Sequence, residues 1–140
     1  MPSSNKYRIK AGVIVYDNDS RFLLVKNSIG GKLGFPKGEC EIINGKVETL
    51  KECAARELKE ETSLVIDSSL LNPNNTWYKE HITFYLVHMQ DIPRNLKPLD
   101  NEIQDVLIAN IDHYEESNYN RPLRQFTKAL NDNTVKLPLE

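Results

Sequence analysis

Apolar and β-branched residues dominate Arg8 to Tyr16 (RIKAGVIVY), stop at Asp17-Asn18-Asp19-Ser20, and resume from Phe22 to Val25. A polar break between two such runs predicts a β-hairpin. Ser28-Ile29-Gly30-Gly31 predicts a second turn. Leu33-Gly34-Phe35 predicts a short strand that Pro36 stops, because proline cannot donate to a ladder. The period then changes. Val47, Leu50, Ala54 and Leu58 recur at spacings of three and four, so Val47 to Thr62 is expected to be a helix with one apolar stripe for a sheet to cover. Thr76 to Met89 (TWYKEHITFYLVHM) is rich in aromatic and β-branched residues and predicts one long strand or two short ones. Asp91 to Asp100 holds Pro93 and Pro98 and reads as a loop. Val106 to Ile111 predicts another strand, and Arg121 to Asn131, with Pro122 suited to a first turn, a second helix. This uneven alternation predicts an α/β fold in which two helices sandwich a mixed sheet. No repeat or linker divides the chain, so residues 1–140 are expected to form one domain.

Composition narrows the class. The chain has 140 residues, 39% hydrophobic and 27% charged, as in ordinary globular proteins. No run of about 18 apolar residues is present, so no membrane partner is expected. The start, Met1 to Lys6, lacks a signal-like apolar stretch, and a cytoplasmic location is expected. Two cysteines, Cys40 and Cys53, are too few for a disulfide framework or a structural zinc site and are expected as reduced thiols. A net charge of −2 argues against a dominant nucleic-acid surface, and no DNA partner is expected.

Chemistry concentrates in Arg56-Glu57-Leu58-Lys59-Glu60-Glu61. On a helix, Glu57, Glu60 and Glu61 stand at i, i+3 and i+4 and project from one face. At separations of about 4–6 Å and an effective dielectric of about 20, each like-charged pair costs about 3–4 kcal/mol, and much less when solvated. A divalent cation turns that repulsion into attraction. Mg²⁺ favours sites shared between carboxylates and substrate phosphates, where it can bridge a diphosphate and activate a water. A carboxylate left free of the ion can take the water's proton. Taken alone, the run also fits a solvated acidic helix face. No Ser, Cys or His arrangement for nucleophilic catalysis is visible, and His81, His88 and His113 are scattered.

Gly34-Phe35-Pro36-Lys37-Gly38, then Glu48, then Arg56 to Glu61 and Leu64, resembles the Nudix box. The family pattern is Gly, five residues, Glu, seven residues, Arg-Glu, an aliphatic residue, any residue, Glu-Glu, any residue, Gly, an aliphatic residue. Seven residues separate Glu48 from Arg56, as the pattern asks. Two departures stand out. Nine residues separate Gly38 from Glu48, with the extra four assigned to Glu41 to Gly45 around a tight Asn44-Gly45 turn. Ser63 stands where the family has Gly, at a cost of about 1 kcal/mol if that position is left-handed.

The resemblance implies a Nudix-like α/β/α sandwich and a hydrolase that cuts a diphosphate linkage with Mg²⁺ or Mn²⁺. By matching position, Glu57, Glu60 and Glu61 are the metal-binding and catalytic carboxylates, and the Lys37 or Gly38 carbonyl is a main-chain metal contact. Arg56 and Glu48 are a structural pair, and Lys37 is a phosphate-binding candidate. Glu102 is the candidate for a further carboxylate from a later loop, with Asp100 and Glu41 behind it. The box covers about a fifth of the chain.

For the substrate, Gly-Phe-Pro-Lys-Gly with Cys53-Ala54-Ala55-Arg56-Glu57 is similar to the mRNA-decapping branch, and a Phe-Pro-Lys-Gly-like run also marks diadenosine-polyphosphate and some diphosphoinositol-polyphosphate hydrolases; the expected partner is capped RNA or a nucleotide-type small molecule. Alternatives are a diphosphoinositol-polyphosphate hydrolase, or a silent Nudix-fold module that binds nucleotide or RNA. Arg121, Arg124 and Lys128 fit either a phosphate track or a solvated face. Trp77, Tyr78 and Tyr85 fit either base stacking or, more often for strand aromatics, the core.

Overall fold

The computed structural model describes residues 9–138, so Arg8 of the first expected strand lies outside the described residues. The first hairpin forms as expected, with β1 (Lys10–Tyr16) and β2 (Arg21–Asn27). Asp17 closes its turn, accepting from the backbone N–H groups of Asp19 and Arg21 at 2.9 and 3.0 Å and from Arg21 Nε at 2.8 Å. Two short strands follow, β3 (Leu33–Gly34) and β4 (Lys37–Glu39). A separate ribbon comes next, β5 (Ile42–Ile43) with β6 (Lys46–Val47). The helix α1 (Leu50–Thr62) leads through a 3-10 turn to β7 (Thr76–Lys79), β8 (Ile82–His88) and β9 (Ile103–Asn110), and α2 (Arg121–Asn131) follows.

Helix α1 begins three residues later than Val47, the expected start. Thr49 and Glu52 form a reciprocal capping box that fixes the first turn, and Val47 is already committed to pairing with Ile42. Val47 is therefore 62% exposed on the ribbon, and the buried stripe is Cys53, Ala54 and Leu58. Thr76 to Met89 resolves into two strands because Glu80 and His81 both adopt positive φ (50° and 72°), a tight hairpin turn built without glycine. The strand expected from Val106 starts at Ile103, where pairing along the full length of β2 extends it. It ends before Ile111, where the Asn110 side chain accepts from Asp112 N–H and starts a 3-10 turn. α2 falls at its expected bounds, with Asn120 capping Leu123 N–H and Pro122 in the first turn.

β1 organises the sheet. It runs parallel to β8 over its whole length, while its other edge is divided between Tyr16, opposite Phe22 of β2, and Lys10–Gly12, opposite β4. Alternation along β1 separates two cores. Ala11, Val13 and Val15 pack with Cys53, Ala54 and Leu58 of α1, whereas Ile14 and Tyr16 pack with Leu123 and Phe126 of α2. Phe126 stands edge-on to Phe35 and Trp77, with ring centroids 5.3 and 5.1 Å away. Two helices thus sandwich a mixed sheet. No helix of the described residues is long and apolar enough to cross a membrane.

Ser63 ends α1 in the left-handed region (φ 73°), donating its N–H to the Lys59 carbonyl at 2.8 Å and its hydroxyl to the Lys97 carbonyl. The hydroxyl bond offsets the strain of a non-glycine residue there. Ser63→Gly is therefore expected to change stability by less than about 1 kcal/mol, whereas Ser63→Ala keeps the strain, loses the bond and costs about 1 kcal/mol. Urea unfolding of the two variants measures the difference.

Candidate active site

The site lies where β4 passes beneath α1. Lys37 N–H donates to Glu61 Oε1 at 3.2 Å, and Gly38 lies directly under the Glu57 side chain. A Cβ at Gly38 would come within 2.1 Å of Glu57 Cδ, so only glycine lets strand and carboxylate approach this closely.

Arg56 ties loop to helix. Its Nε and Nη2 form a two-pronged pair with Glu48 (2.7 and 2.9 Å), and Nη2 also donates to the Glu39 carbonyl at 2.9 Å. Nη1 reaches Glu57 Oε2 and Glu60 Oε1, each at 3.1 Å. The Glu48 side chain is 4% exposed. Its hydrogen bonds from Arg56 hold its carboxyl below the usual range, and the same pairing raises the arginine. The four additional residues leave this clamp intact. Glu48 N–H donates to the Glu41 carbonyl at 2.8 Å, and Glu41 N–H to Glu48 Oε1 at 2.9 Å, so the ribbon rises from a closed base. Its turn is at Asn44-Gly45 as expected, with φ of 52° and 77°.

The three glutamates differ in setting. Glu57 and Glu61 are buried, whereas the Glu60 side chain is 42% exposed. Burial foremost pushes Glu57 up to about 7, with Arg56 opposing and Glu60 adding to the rise. Burial likewise pushes Glu61 up to about 8, opposed by Lys37 N–H and reinforced by Glu57. Lys37 is lowered by burial first and by Lys10 second, against the pull of Glu61 and Glu57. Among the described residues, no three carboxylate, imidazole or thiol groups stand at a spacing that already encloses one ion. The reason is visible locally, because Arg56 Nη1 lies between Glu57 and Glu60 and takes their oxygens. The donor chemistry still fits a hard divalent cation. It comprises two buried carboxylates, Glu57 and Glu61, the half-exposed Glu60 beside them, and on the strand beneath the Gly38 carbonyl, which the Cys53 thiol approaches at 3.7 Å.

These groups line one cleft of about 1190 Å³. Lys37, Gly38, Glu48, Glu57, Glu60 and Glu61 all face it, and so do the later-loop candidates Glu102 and Asp100 and the loop residue Glu41. Long-range tethers bring the later loop there. Leu99 N–H donates to the Glu60 carbonyl at 2.9 Å, and Ser28 N–H to the Glu102 carbonyl at 2.8 Å. Lys10 and Asn27 also line the cleft, and no motif or spacing in the sequence marks either of them. Only the β1–β4 pairing, which sets Lys10 opposite Glu39, reveals Lys10.

Other candidates fall elsewhere. Trp77 stacks on Phe84 in the α2 core, Tyr85 is 4% exposed in the α1 core, and Tyr78 is exposed on β7, so none of the three lines the cleft. Arg121 pairs with Glu80 at 2.7 Å, Arg124 donates to the Tyr119 carbonyl at 3.1 Å, and Lys128 pairs with Asp132 at 3.1 Å. None of those three lines the cleft either, and a paired surface face accounts for them. Cys40 and Cys53 are free thiols, both raised by burial.

Comparison with known proteins gives the family and the fold. The NUDIX domain model matches residues 6–130, and the chain belongs to that family of hydrolases. The MutT protein from Methanosarcina mazei Go1 superposes with a TM-score of 0.64 at 19% identity, covering 96% of this chain and 100% of that one. A C. elegans Ap4A hydrolase in a binary complex gives 0.55 at 21%, covering 89% and 98%. The NUDIX domain of Shewanella oneidensis NrtR, complexed with ADP ribose, gives 0.65 at 15%, covering 91% and 88%. At these identities the likeness establishes the fold. Among curated protein sequences, none matches the chain.

Two predictions follow from this geometry. Gly38→Ala should displace the Glu57 carboxylate while leaving the fold intact, and an offset of about 1 Å at a reacting centre costs about 10²-fold in turnover. Circular dichroism and steady-state rates together check it. The second concerns pH. In the metal-free protein Glu57 and Glu61 titrate near 7 and 8, above their ordinary 4.5. Their contribution to stability is thus full below about pH 4.5 and is lost as pH rises through 7 to 8. A cation needs the ionised forms, so Mn²⁺ affinity should climb between pH 6 and 8.5 by up to about tenfold per pH unit for each proton displaced. Calorimetric titrations in buffers of different ionisation enthalpy would count those protons, and a flat profile would contradict the burial argument.

Proposed function

We propose that the chain is a Mg²⁺- or Mn²⁺-dependent pyrophosphohydrolase that cleaves the diphosphate linkage of a nucleoside-diphosphate-linked substrate, a dinucleoside polyphosphate first and capped RNA second. The observation that carries this reading is the convergence of buried Glu57 and Glu61 with Glu60 on a cleft that Gly38, Lys10 and Lys37 also line. Glu57, Glu60, Glu61 and the Gly38 carbonyl would hold the cation, with Glu102 as a further ligand from the later loop. Bound there, a divalent ion supplies charge neutralisation for the diphosphate and lowers the pKa of a water.

The chain's own residues do the rest. Lys37 and Lys10 attract and orient the phosphates, and Arg56 holds the carboxylates in register against Glu48. Whichever of Glu57 and Glu61 leaves an oxygen free of the ion takes the water's proton, a role suited to groups whose burial lifts them toward neutral pH. A dinucleoside polyphosphate ranks ahead of capped RNA because Arg121, Arg124 and Lys128 are engaged by neighbours and lie outside the cleft. The silent-module alternative loses its two motives, since the inserted ribbon spares the Arg56 clamp and Ser63 keeps its helix cap.

The test is a hydrolysis panel of diadenosine polyphosphates, capped RNA, diphosphoinositol polyphosphates and ADP-ribose, each with Mg²⁺, Mn²⁺ or EDTA. Wild type should cleave at least one nucleoside-linked substrate only with metal. Glu57→Gln, Glu60→Gln and Glu61→Gln should each lose about 10²-fold or more, about 2.7 kcal/mol of transition-state stabilisation, without unfolding. Full activity in all three variants would overturn the assignment.

A further inference from the structure

The β5–β6 ribbon has no core to serve, yet it carries large aliphatic side chains into the open. Ile42 is 71% exposed and Val47 62%, and the two are direct cross-strand partners, so they share one face of the ribbon. That face lines the same cleft as the glutamates, joined there by Ile9, which is 58% exposed, and by Leu50 at the start of α1. Exposed apolar residues scattered singly need no explanation, but here three exposed ones and the partly buried Leu50 line the same cleft. The ribbon's position is fixed. Its base is closed by the Glu41–Glu48 hydrogen bonds, and Glu48 is gripped by Arg56, so the shelf and the carboxylates are parts of one clamped unit. At about 1190 Å³ the cleft exceeds the roughly 300–1,000 Å³ of ordinary small-ligand sites, which leaves room for more than a diphosphate.

Resting on the hydrolase reading above, we infer that the Ile42–Val47 face of this ribbon is the subsite for a nucleobase of the substrate. A ligand suited to this cleft has a charged end for Lys10, Lys37 and the carboxylate cluster, and a flat apolar end for the shelf. A nucleotide has both. Ile42 and Val47 offer no side-chain donor or acceptor, so the shelf meets the ring face of a base and leaves its edge unread. It therefore contributes affinity for bases generally, with little discrimination between adenine and guanine.

The experiment uses the whole chain and two variants. Ile42→Ser/Val47→Ser removes the aliphatic face, and a chain lacking Ile42–Gly45 removes the ribbon and restores five residues between Gly38 and Glu48. With Mn²⁺ present, α,β-methylene-ADP and α,β-methylene-GDP probe the base, and methylenediphosphonate probes the phosphate site alone. In both variants the two nucleotide probes should bind about five- to tenfold more weakly, to a similar degree, while methylenediphosphonate binds as in wild type. KM for a dinucleoside polyphosphate should rise by the same factor with kcat within about twofold. Unchanged nucleotide binding would overturn the inference, and so would equal weakening of all three probes. A wild-type dimer that the substitutions dissociate, with nucleotide affinity unchanged, would assign the ribbon to self-association instead. The hydrolase reading fails separately: wild type that binds α,β-methylene-ADP through the shelf but cleaves no anhydride keeps the subsite and removes the reaction.

Discussion

Everything around the cleft depends on one guanidinium. Arg56 sets Nε and Nη2 on the Glu48 carboxylate, with Nη2 also reaching the Glu39 carbonyl, and turns Nη1 toward Glu57 and Glu60. A two-pronged arginine–carboxylate pair is both strong and directional, so it fixes the loop before the helix relative to the helix itself. Removing Arg56 would leave the buried Glu48 carboxylate without its cation, and losses of about 3–5 kcal/mol are typical when such a pair is broken. Lysine at position 56 could not make these contacts at once, because it offers a single ammonium.

The same clamp explains why the motif tolerates its irregularities. A longer loop would displace the carboxylates if the loop's ends moved, but Glu41 and Glu48 close it at its base and the extra residues project as a ribbon. The backbone at Gly38 then stays under Glu57, and Glu61 keeps its bond from Lys37 N–H. At the far end of the helix, Ser63 substitutes a hydroxyl bond for the freedom of glycine, and Leu99 N–H fastens the later loop to the Glu60 carbonyl. The site is assembled by anchoring both ends of one helix.

Local signals carried much of this into the sequence. The bounds of α2 were legible because Asn120 and Pro122 mark its start within a few residues, and the first hairpin because Asp17-Asn18-Asp19-Ser20 interrupts two apolar runs. The start of α1 was misplaced because Val47 continues the apolar spacing, although Thr49 and Glu52 spell the capping box that settles it. The glycine-free turn at Glu80-His81 carried no composition signal at all. In the site, the helix spacing alone placed Glu57, Glu60 and Glu61 together. Lys10 joins them only through strand pairing, and Glu102 only through tethers from Ser28 and Leu99, contacts between segments far apart in the chain. Trp77 and Tyr85 enter the core, the reading favoured for strand aromatics, yet which core each joins was not legible. Residues on β7 and β8 alternate between faces, and which face becomes core depends on the helices laid across the sheet.

The central claim is that these carboxylates form a divalent-cation site governed by the Arg56 clamp. The most direct measurement is an anomalous-difference map from crystals of the protein soaked in Mn²⁺. The account predicts a peak bounded by Glu57, Glu60, Glu61 and the Gly38 carbonyl, with the Arg56–Glu48 pair still closed. A map without a peak there, or with manganese only at surface carboxylates away from the cleft, would contradict it.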